Sequence, residues 1–95
     1  MADDVQMTDA PDRQRYELRI GGELAGLADY HDQGEVRVLP HVETDAAHRG
    51  QGLAGRLVAF ALDDIRARGM QVVPACPFAA SFVSAHPEYG DLVSR

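Results

Sequence analysis

The sequence predicts one α+β domain in which helices cover a mixed, mainly antiparallel sheet, in the order β-β-β-α-β-α. Three alternating apolar segments joined by short turns come first. A glycine-rich loop and a long amphipathic helix follow, and a short β-branched segment and a second helix come last. A chain of 95 residues has the length of one small domain.

The first two strands form a predicted hairpin. Residues 15 to 20, RYELRI, alternate apolar and charged side chains, which is typical of a half-buried strand. Gly21 and Gly22 indicate a tight turn. The second strand, at about 23 to 30, loses its alternation near Gly26, which indicates a bulge.

The third strand, EVRVLPHVET at residues 35 to 44, contains a proline, which cannot donate to a ladder and predicts a kink, a bulge or an edge. The face expected to meet the long helix consists of Val36, Val38, Pro40 and Val42. His41 and Glu43 then share the opposite face with residues such as Arg37 and Glu35.

The second half of the chain predicts helix, strand and helix. The long helix spans about 52 to 68 and ends before Gly69. Its apolar face consists of Leu53, Leu57, Phe60, Ala61 and Ile65. The opposite face, which is expected to be solvated, contains Asp63, Asp64, Arg66 and Arg68. A strand is predicted at about 71 to 76, and a last helix at about 77 to 86, which Pro87 ends.

The composition excludes several classes of function for this protein. The net charge of −6 argues against a nucleic-acid or membrane partner. All nine basic residues are arginine, which excludes a Walker A loop and a lysine nucleophile. No spacing of His, Cys, Asp and Glu indicates a metal site. Residues 1 to 14 are expected to form a flexible acidic tail before a domain at 15 to 95.

Cellular location is predicted from what the sequence does not contain. The single Cys76 gives no intrachain disulfide, and therefore no sign of an oxidising compartment. The N-terminus has neither the basic nor the apolar part of a signal peptide, and no apolar run has the length of a membrane span. A cytoplasmic location is the expectation.

The loop HRGQGLAG matches two phosphate-binding patterns. Gly50-x-Gly52-x-x-Gly55 is a dinucleotide fingerprint, and Arg49-x-x-Gly52-x-Ala54 is a coenzyme A loop. A dinucleotide fold places its glycines directly after a parallel strand and an acid at the end of the next strand. Here antiparallel strands precede the loop, and the next strand ends in Pro-Ala-Cys. The context favours coenzyme A, held by backbone N–H groups at a helix N-terminus.

The segment VETDAAHRGQGLAGRL resembles the central part of the GNAT superfamily of acyl-CoA-dependent N-acetyltransferases. From Tyr16 to Val93, the chain is similar to a subgroup of very small members. Four blocks carry this similarity, at His41 to Asp45, Arg49 to Ala54, Val73 to Phe78 (with its V-P-x-C-P segment) and His86 to Tyr89. The resemblance implies a truncated GNAT-like fold that uses acetyl-CoA.

The resemblance also implies where the cofactor binds. Val42 to Thr44 would run beside the pantetheine arm, and the strand that contains them would separate from the following strand near Cys76. The residues implied to hold the pyrophosphate are Arg49, Gly50, Gln51, Gly52, Leu53 and Ala54. Larger members insert helices between the first and second strands, for which Gly21-Gly22 leaves no room, and they continue with further strands.

The candidate catalytic residues are His41, Glu43 and Cys76. His41 and Glu43 are either the general base or polar residues on a solvated sheet face. Cys76 is either an acyl acceptor, favoured as a thiolate before a helix N-terminus, or a packed thiol. The expected function is acetyl transfer to an unidentified amine on a small molecule or a protein. The alternatives are a CoA-binding module with little or no catalysis, and a protein-interaction domain.

Overall fold

The computed structural model describes residues 4–48 and 50–94. The strands are β1 (Val5–Ala10), β2 (Arg15–Ile20), β3 (Glu23–Gln33), β4 (Val36–Thr44) and β5 (Gln71–Val73). The helices are α1 (Leu53–Ala67) and α2 (Pro77–Ala85). Short 3-10 segments occur at Pro11–Arg13, Ala46–His48 and Pro87–Leu92.

The sheet is mixed, with its strands in the spatial order β1-β2-β3-β4-β5. Strands β1 to β4 pair antiparallel with their chain neighbours. Strand β5 pairs parallel with β4. This is possible because α1, which connects the two strands, returns the chain from the end of β4 to the end of the sheet where β4 begins. The predicted α+β fold with a mainly antiparallel mixed sheet is confirmed.

The N-terminal segment differs from its prediction. Residues 1 to 14 are predicted as a flexible tail, but β1 pairs with β2 along its whole length, from Val5 opposite Ile20 to Ala10 opposite Arg15. The chain order is therefore β-β-β-β-α-β-α. The reason is a short apolar alternation in VQMTDA, where Val5 and Met7 pack against the core.

Two bulges shape β3 and β4. The pairing of β2 with β3 shifts between Leu18 and Arg19, which confirms the bulge predicted near Gly26. In the β3–β4 pair, Asp29 opposes His41 and His31 opposes Val38. Leu39 and Pro40 therefore both lie opposite one residue of β3, which confirms an irregularity at the proline.

Because of the bulge, the prediction of which side chains of β4 face the helix is wrong for the first half of the strand. Leu39 is fully buried and Arg37 is 5% exposed, whereas Val36 and Val38 are half-buried and Pro40 is exposed. An extra residue in a strand changes the alternation, so counting by two through the proline exchanges the two faces. Beyond the bulge, Val42 packs against the core as predicted.

Both helices lie on the same side of the sheet. The inner face of α1 consists of Leu53, Leu57, Val58, Ala61, Leu62 and Ile65, which form one buried cluster with side chains of β2, β3, β4 and β5. Val83 of α2 joins this cluster, and Phe82 lies 3.5 Å from where a Cβ on Gly55 of α1 would stand. We call the opposite side, which presents the row Glu17, Leu27 and Glu43, the open face.

Candidate functional site

The site begins where β4 and β5 separate. Their parallel pairing covers Val36 to Val38 of β4 and all of β5. The backbone N–H of Cys76 then donates to the carbonyl of Leu39 at 3.0 Å, and α2 starts at the next residue. Within residues 4–48 and 50–94, β4 pairs beyond this point only with β3. The outer edge of β4 from His41 to Thr44 is therefore a free strand edge.

The glycine loop delivers the N-terminus of α1 to this edge. Gly50 and Gly52 have φ angles of 82° and 74°, a left-handed backbone that residues with a Cβ rarely adopt. Gly52 directly precedes α1 and offers no side chain to cap it. The N–H groups of the first turn, at Leu53, Ala54 and Gly55, have no partner within the helix. Among residues 4–48 and 50–94, these donors have no backbone hydrogen-bond partner, so the first turn presents N–H groups at the positive end of a helix dipole.

Between the loop and the strand edge lies a cleft of about 430 Å³. Its walls consist of Val42, Glu43, Thr44, His48, Gly50, Gly52, Leu53, Ala54, Gly55 and Phe78. Of the residues implied for the cofactor, Val42, Thr44, Gly50, Gly52, Leu53 and Ala54 are among them. Gln51 does not line the cleft, and Arg49 lies outside the described residues.

Three residues that line the cleft are not among the candidate site residues predicted from the sequence. Phe78, 41% exposed at the start of α2, forms a wall that only the path of the chain after β5 reveals. Gly55 lines the cleft as well as packing against Phe82. His48 also lines the cleft, and its place directly before the Arg-Gly pair was a usable signal.

His48 is held in a tight turn. The carboxylate of Asp45 accepts a hydrogen bond from the N–H of Ala47 at 3.2 Å, and the Asp45 carbonyl accepts one from the N–H of His48 at 2.9 Å. The Nδ1 atom of His48 is buried and has no hydrogen-bond partner among the described residues; the carboxylate of Asp45 lies 3.5 Å away. The turn thus places an imidazole in the wall of the cleft.

His41 and Glu43 form a pair on the open face. His41 Nε2 lies 2.7 Å from Glu43 Oε1, which confirms that the two side chains share one face of the strand. Both side chains are more than half exposed. Glu43 also lines the cleft, so the pair stands between the cleft and solvent. An imidazole bonded to a carboxylate in such a position is suited to accepting a proton.

Cys76 lies outside the lining of the cleft. The residue is 8% exposed and occupies the position directly before α2. The hydrogen bond of its backbone N–H to Leu39 ties the end of β5 to β4 at the point of separation. The thiol is thus near the predicted slot, but it is a buried side chain.

A family model described as GCN5-related N-acetyl-transferase matches residues 15–92, which is most of the chain. The chain belongs to this family. The match covers the glycine loop, the cleft and the strands that form its walls. GNAT acetyltransferases use acetyl-CoA in general, which agrees with a cleft built from backbone donors and a free strand edge. A search of curated proteins finds no match to this sequence.

Solved structures share the GNAT fold. A GCN5-like putative N-acetyltransferase from Staphylococcus aureus superposes with a TM-score of 0.70 at 11% identity, covering 98% of this chain and 91% of that one. The ribosomal-protein-S18-alanine N-acetyltransferase of Escherichia coli gives 0.63 at 19% identity, covering 90% of this chain. Nourseothricin acetyltransferase gives 0.53 at 17% identity, covering 92% of this chain. The chain spans 53% of the length of the E. coli enzyme.

Two further searches of the described residues, 4–48 and 50–94, are negative. Neither α1 nor α2 has the length and apolar character that crossing a membrane requires. No group of three or more His, Cys, Asp or Glu side chains is arranged to hold a metal ion there.

Proposed function

We propose that this chain binds acetyl-CoA in the cleft between β4 and α1 and transfers the acetyl group to an amine. One observation carries the proposal: the free edge of β4 and the uncapped N-terminus of α1 line the same cleft. A strand edge suits the amide groups of a pantetheine arm, and a helix N-terminus suits a pyrophosphate. Coenzyme A carries both of these groups in one molecule, so it can use the strand edge and the helix N-terminus together.

The described residues fit this cofactor. The pyrophosphate would accept hydrogen bonds from the N–H groups of Leu53 and Ala54, where Gly50 and Gly52 let the backbone approach closely. Val42 to Thr44 would run beside the pantetheine arm. A chain with a net charge of −6 can hold such an anion because the donors are backbone groups and a local dipole. We expect Arg49 to add a positive charge to the same loop.

His41 and Glu43 are proposed to act as the base. Acetyl-CoA supplies an acetyl group activated as a thioester. In the transfer, a C–N bond forms to the acceptor and the C–S bond breaks, so the attacking amine must lose a proton and the thiol must gain one. The imidazole of His41, bonded to Glu43 at 2.7 Å, is placed to take the proton from the amine. A positioned base of this kind contributes roughly 10²–10⁴-fold to a rate.

The acceptor side of the site is open. The first two strands of the sheet, β1 and β2, are joined only by Pro11–Arg13 and Gln14. This is the connection where the resemblance implies helices in larger members, so the predicted location at Gly21-Gly22 was wrong. In either position a short turn replaces them, and the His41–Glu43 pair stays exposed on the open face.

A thermal-shift titration tests the proposal. Both CoA and acetyl-CoA should raise the melting midpoint, because a ligand that binds only the folded chain stabilises it by about 2.7 kcal/mol at a hundredfold excess over its Kd. Adenosine 3′,5′-bisphosphate and pantetheine alone should each give a smaller shift. No shift with either cofactor would overturn the proposal in favour of an interaction domain. A rise in melting midpoint with CoA, but no acetyl transfer to any amine, would indicate that the chain is a CoA-binding module without catalysis.

A further inference from the structure

A second hollow of about 190 Å³ adjoins the cleft. It lies between the start of β3 and the end of β4, and its walls consist of Leu24, Ala25, Gly26, Leu27, Glu43 and Asp45. Among the residues that the structure describes, Glu43 alone lines both spaces. The proposed acetyl transfer does not use the other five. A molecule in the hollow would reach Glu43 from the side opposite to the cofactor.

The walls of the hollow combine two kinds of surface. Leu24, 37% exposed, and Leu27 provide apolar contact, while Glu43 and Asp45 provide carboxylates. The backbone N–H of Asp45 donates to the carbonyl of Ala25 at 2.7 Å, which continues the β3–β4 ladder past the end of the strand. The two carboxylates therefore project on one face from nearly extended chain.

The spacing of these carboxylates sets the size of the ligand. Two residues along a strand advance by roughly 6.6 Å, which is the reach of about four methylene groups between two nitrogens. The carboxylate of Asp45 is about half exposed. Its Oδ1 accepts the N–H of Ala47, and its Oδ2, which lies 3.5 Å from Nδ1 of His48, has further lone-pair capacity to accept from a ligand. An aliphatic chain between two amines would contact the leucines and place one amine at each carboxylate.

We propose that the hollow binds an alkyl diammonium acceptor, with its distal ammonium at Asp45, its chain on Leu24 and Leu27, and its reacting amine beside Glu43. This inference rests on the proposed acetyl transfer and specifies its acceptor. The chemistry is shared by two sources, a free diamine and the lysine side chain at the N-terminus of a peptide. The common requirement is a second positive charge about four methylenes from the reacting nitrogen.

Binding is measured first, without catalysis. With CoA present in 150 mM NaCl, 1,4-diaminobutane should raise the melting midpoint further than n-butylamine does at equal concentration. The salt screens the general attraction of a chain with a charge of −6 for any cation. Turnover with acetyl-CoA should then favour the diamine over the monoamine by roughly tenfold in kcat/KM, as expected for one charged hydrogen bond.

Two variants that each remove one negative charge test whether the preference for the diamine depends on Asp45. Asp45→Asn keeps an oxygen for the N–H of Ala47 and should reduce the preference for the diamine to less than about threefold. Glu35→Gln removes one negative charge at the opposite end of β4, in the turn that joins β3 to β4, and should keep the full preference. Glu35→Gln should not change the shift produced by CoA alone. Because Asp45 also holds the turn that places His48 in the cleft wall, the preference of Asp45→Asn is measured at CoA concentrations that saturate this variant.

The outcomes separate this inference from the function on which it rests. Equal shifts with diamine and monoamine, or equal losses in Asp45→Asn and Glu35→Gln, would overturn the diammonium site while the CoA shift still supports the proposed function. Absence of a CoA shift would remove both. A peptide with an N-terminal lysine used better than 1,4-diaminobutane would support the site and assign the acceptor to proteins; the reverse ranking would assign it to free diamines.

Discussion

Arg37 donates two parallel hydrogen bonds to Asp32, from Nε to Oδ1 at 2.7 Å and from Nη2 to Oδ2 at 2.9 Å. Its Nη1 donates to the hydroxyl of Tyr16 at 2.8 Å, and its guanidinium lies 3.8 Å from the ring centroid of Tyr30. The Tyr16 hydroxyl donates in turn to Asp64 of α1 at 2.8 Å. This network, which is buried at Tyr16 and Arg37 and partly exposed at its two carboxylates, joins β2, β3 and β4 to the helix that follows the glycine loop.

Replacing Arg37 should destabilise the fold strongly. Arg37→Met leaves the Tyr16 hydroxyl and the partly exposed Asp32 without the donor of their hydrogen bonds, and losing hydrogen bonds to a charged group costs about 1.5–3 kcal/mol. Urea unfolding at pH 7 measures the loss. Arg66→Met is the matched control, because Arg66 donates to Asp91 at the surface and its loss should change the midpoint far less. Equal midpoints for the two variants would contradict a stabilising role for the network.

The sequence could not place this network for a physical reason. The alternation through Pro40 put Arg37 on the solvated face, since a bulge adds a residue without changing the local pattern. Asp64 and Arg68 were expected in solvent, but Asp64 binds Tyr16, which is 48 positions away in the chain, and Arg68 binds Asp9, which is 59 positions away, at 3.0 Å. Such partners follow from the tertiary fold alone.

Local patterns were predicted far better. The span of β2, the glycine loop before α1, the pairing of His41 with Glu43 and the start of α2 each depend on a few neighbouring residues, and each is observed. The cleft is a mixed case. Its glycines and strand edge follow from the motif, whereas its Phe78 wall depends on how the chain turns after β5. Sequence thus predicted the local elements of the site and missed parts that separate segments bring together.

Glu17 should make the stability sensitive to acid. Its side chain is 3% exposed and accepts hydrogen bonds from Arg15 at 2.8 Å and Arg19 at 3.0 Å, and these, with Arg15 first, hold its pKa below the usual value for glutamate. Because the folded pKa is depressed, this stabilisation is present above the unfolded pKa of about 4.3 and disappears as the pH falls through the folded value.

Glu17→Gln tests this dependence. The variant should lose about 1–2 kcal/mol of unfolding free energy at pH 7, since the arginine partners are partly exposed. The difference from the parent chain should shrink as the pH falls below the unfolded pKa and through the depressed folded pKa of Glu17, because protonation removes the charge that the variant lacks. Urea titrations at pH 7, 5 and 3 measure it, with Glu35→Gln as the control. A difference that stays constant across this range would show that the charge of Glu17 is not what stabilises the fold.

Gly52→Val should abolish binding of CoA beyond its effect on folding. Gly52 and Gly34 both have left-handed backbones, with φ of 74° and 63°, and a Cβ at either would meet no atom within 4 Å. Valine at either position is therefore strained by a similar amount, about 1–2 kcal/mol. Of these two glycines, Gly52 lines the cleft and Gly34 does not. Both variants should melt earlier, but only Gly52→Val should lose the CoA-dependent rise, and a lost rise in Gly34→Val as well would contradict this assignment.

The base should be separable from the cofactor site. His41→Ala and Glu43→Gln should lower turnover about a hundredfold or more, while the CoA-dependent rise in melting midpoint stays close to that of the parent chain. His31→Ala is the control, since His31 is an exposed histidine of β3 that lies opposite Val38 and lines neither cavity. Equal turnover in all three variants would rule out a catalytic role for the pair.

Cys76 should behave as a packed thiol. It is 8% exposed and does not line the cleft, and acyl transfer through sulfur needs the thiol to reach the thioester. In the folded chain, a disulfide reagent should label Cys76 slowly, and rapidly once urea unfolds it. Cys76→Ala should keep turnover within about threefold, and intact mass after exposure to acetyl-CoA should show no acetyl adduct. An adduct on the parent chain that disappears in Cys76→Ala, together with lost turnover, would instead make Cys76 the acyl carrier.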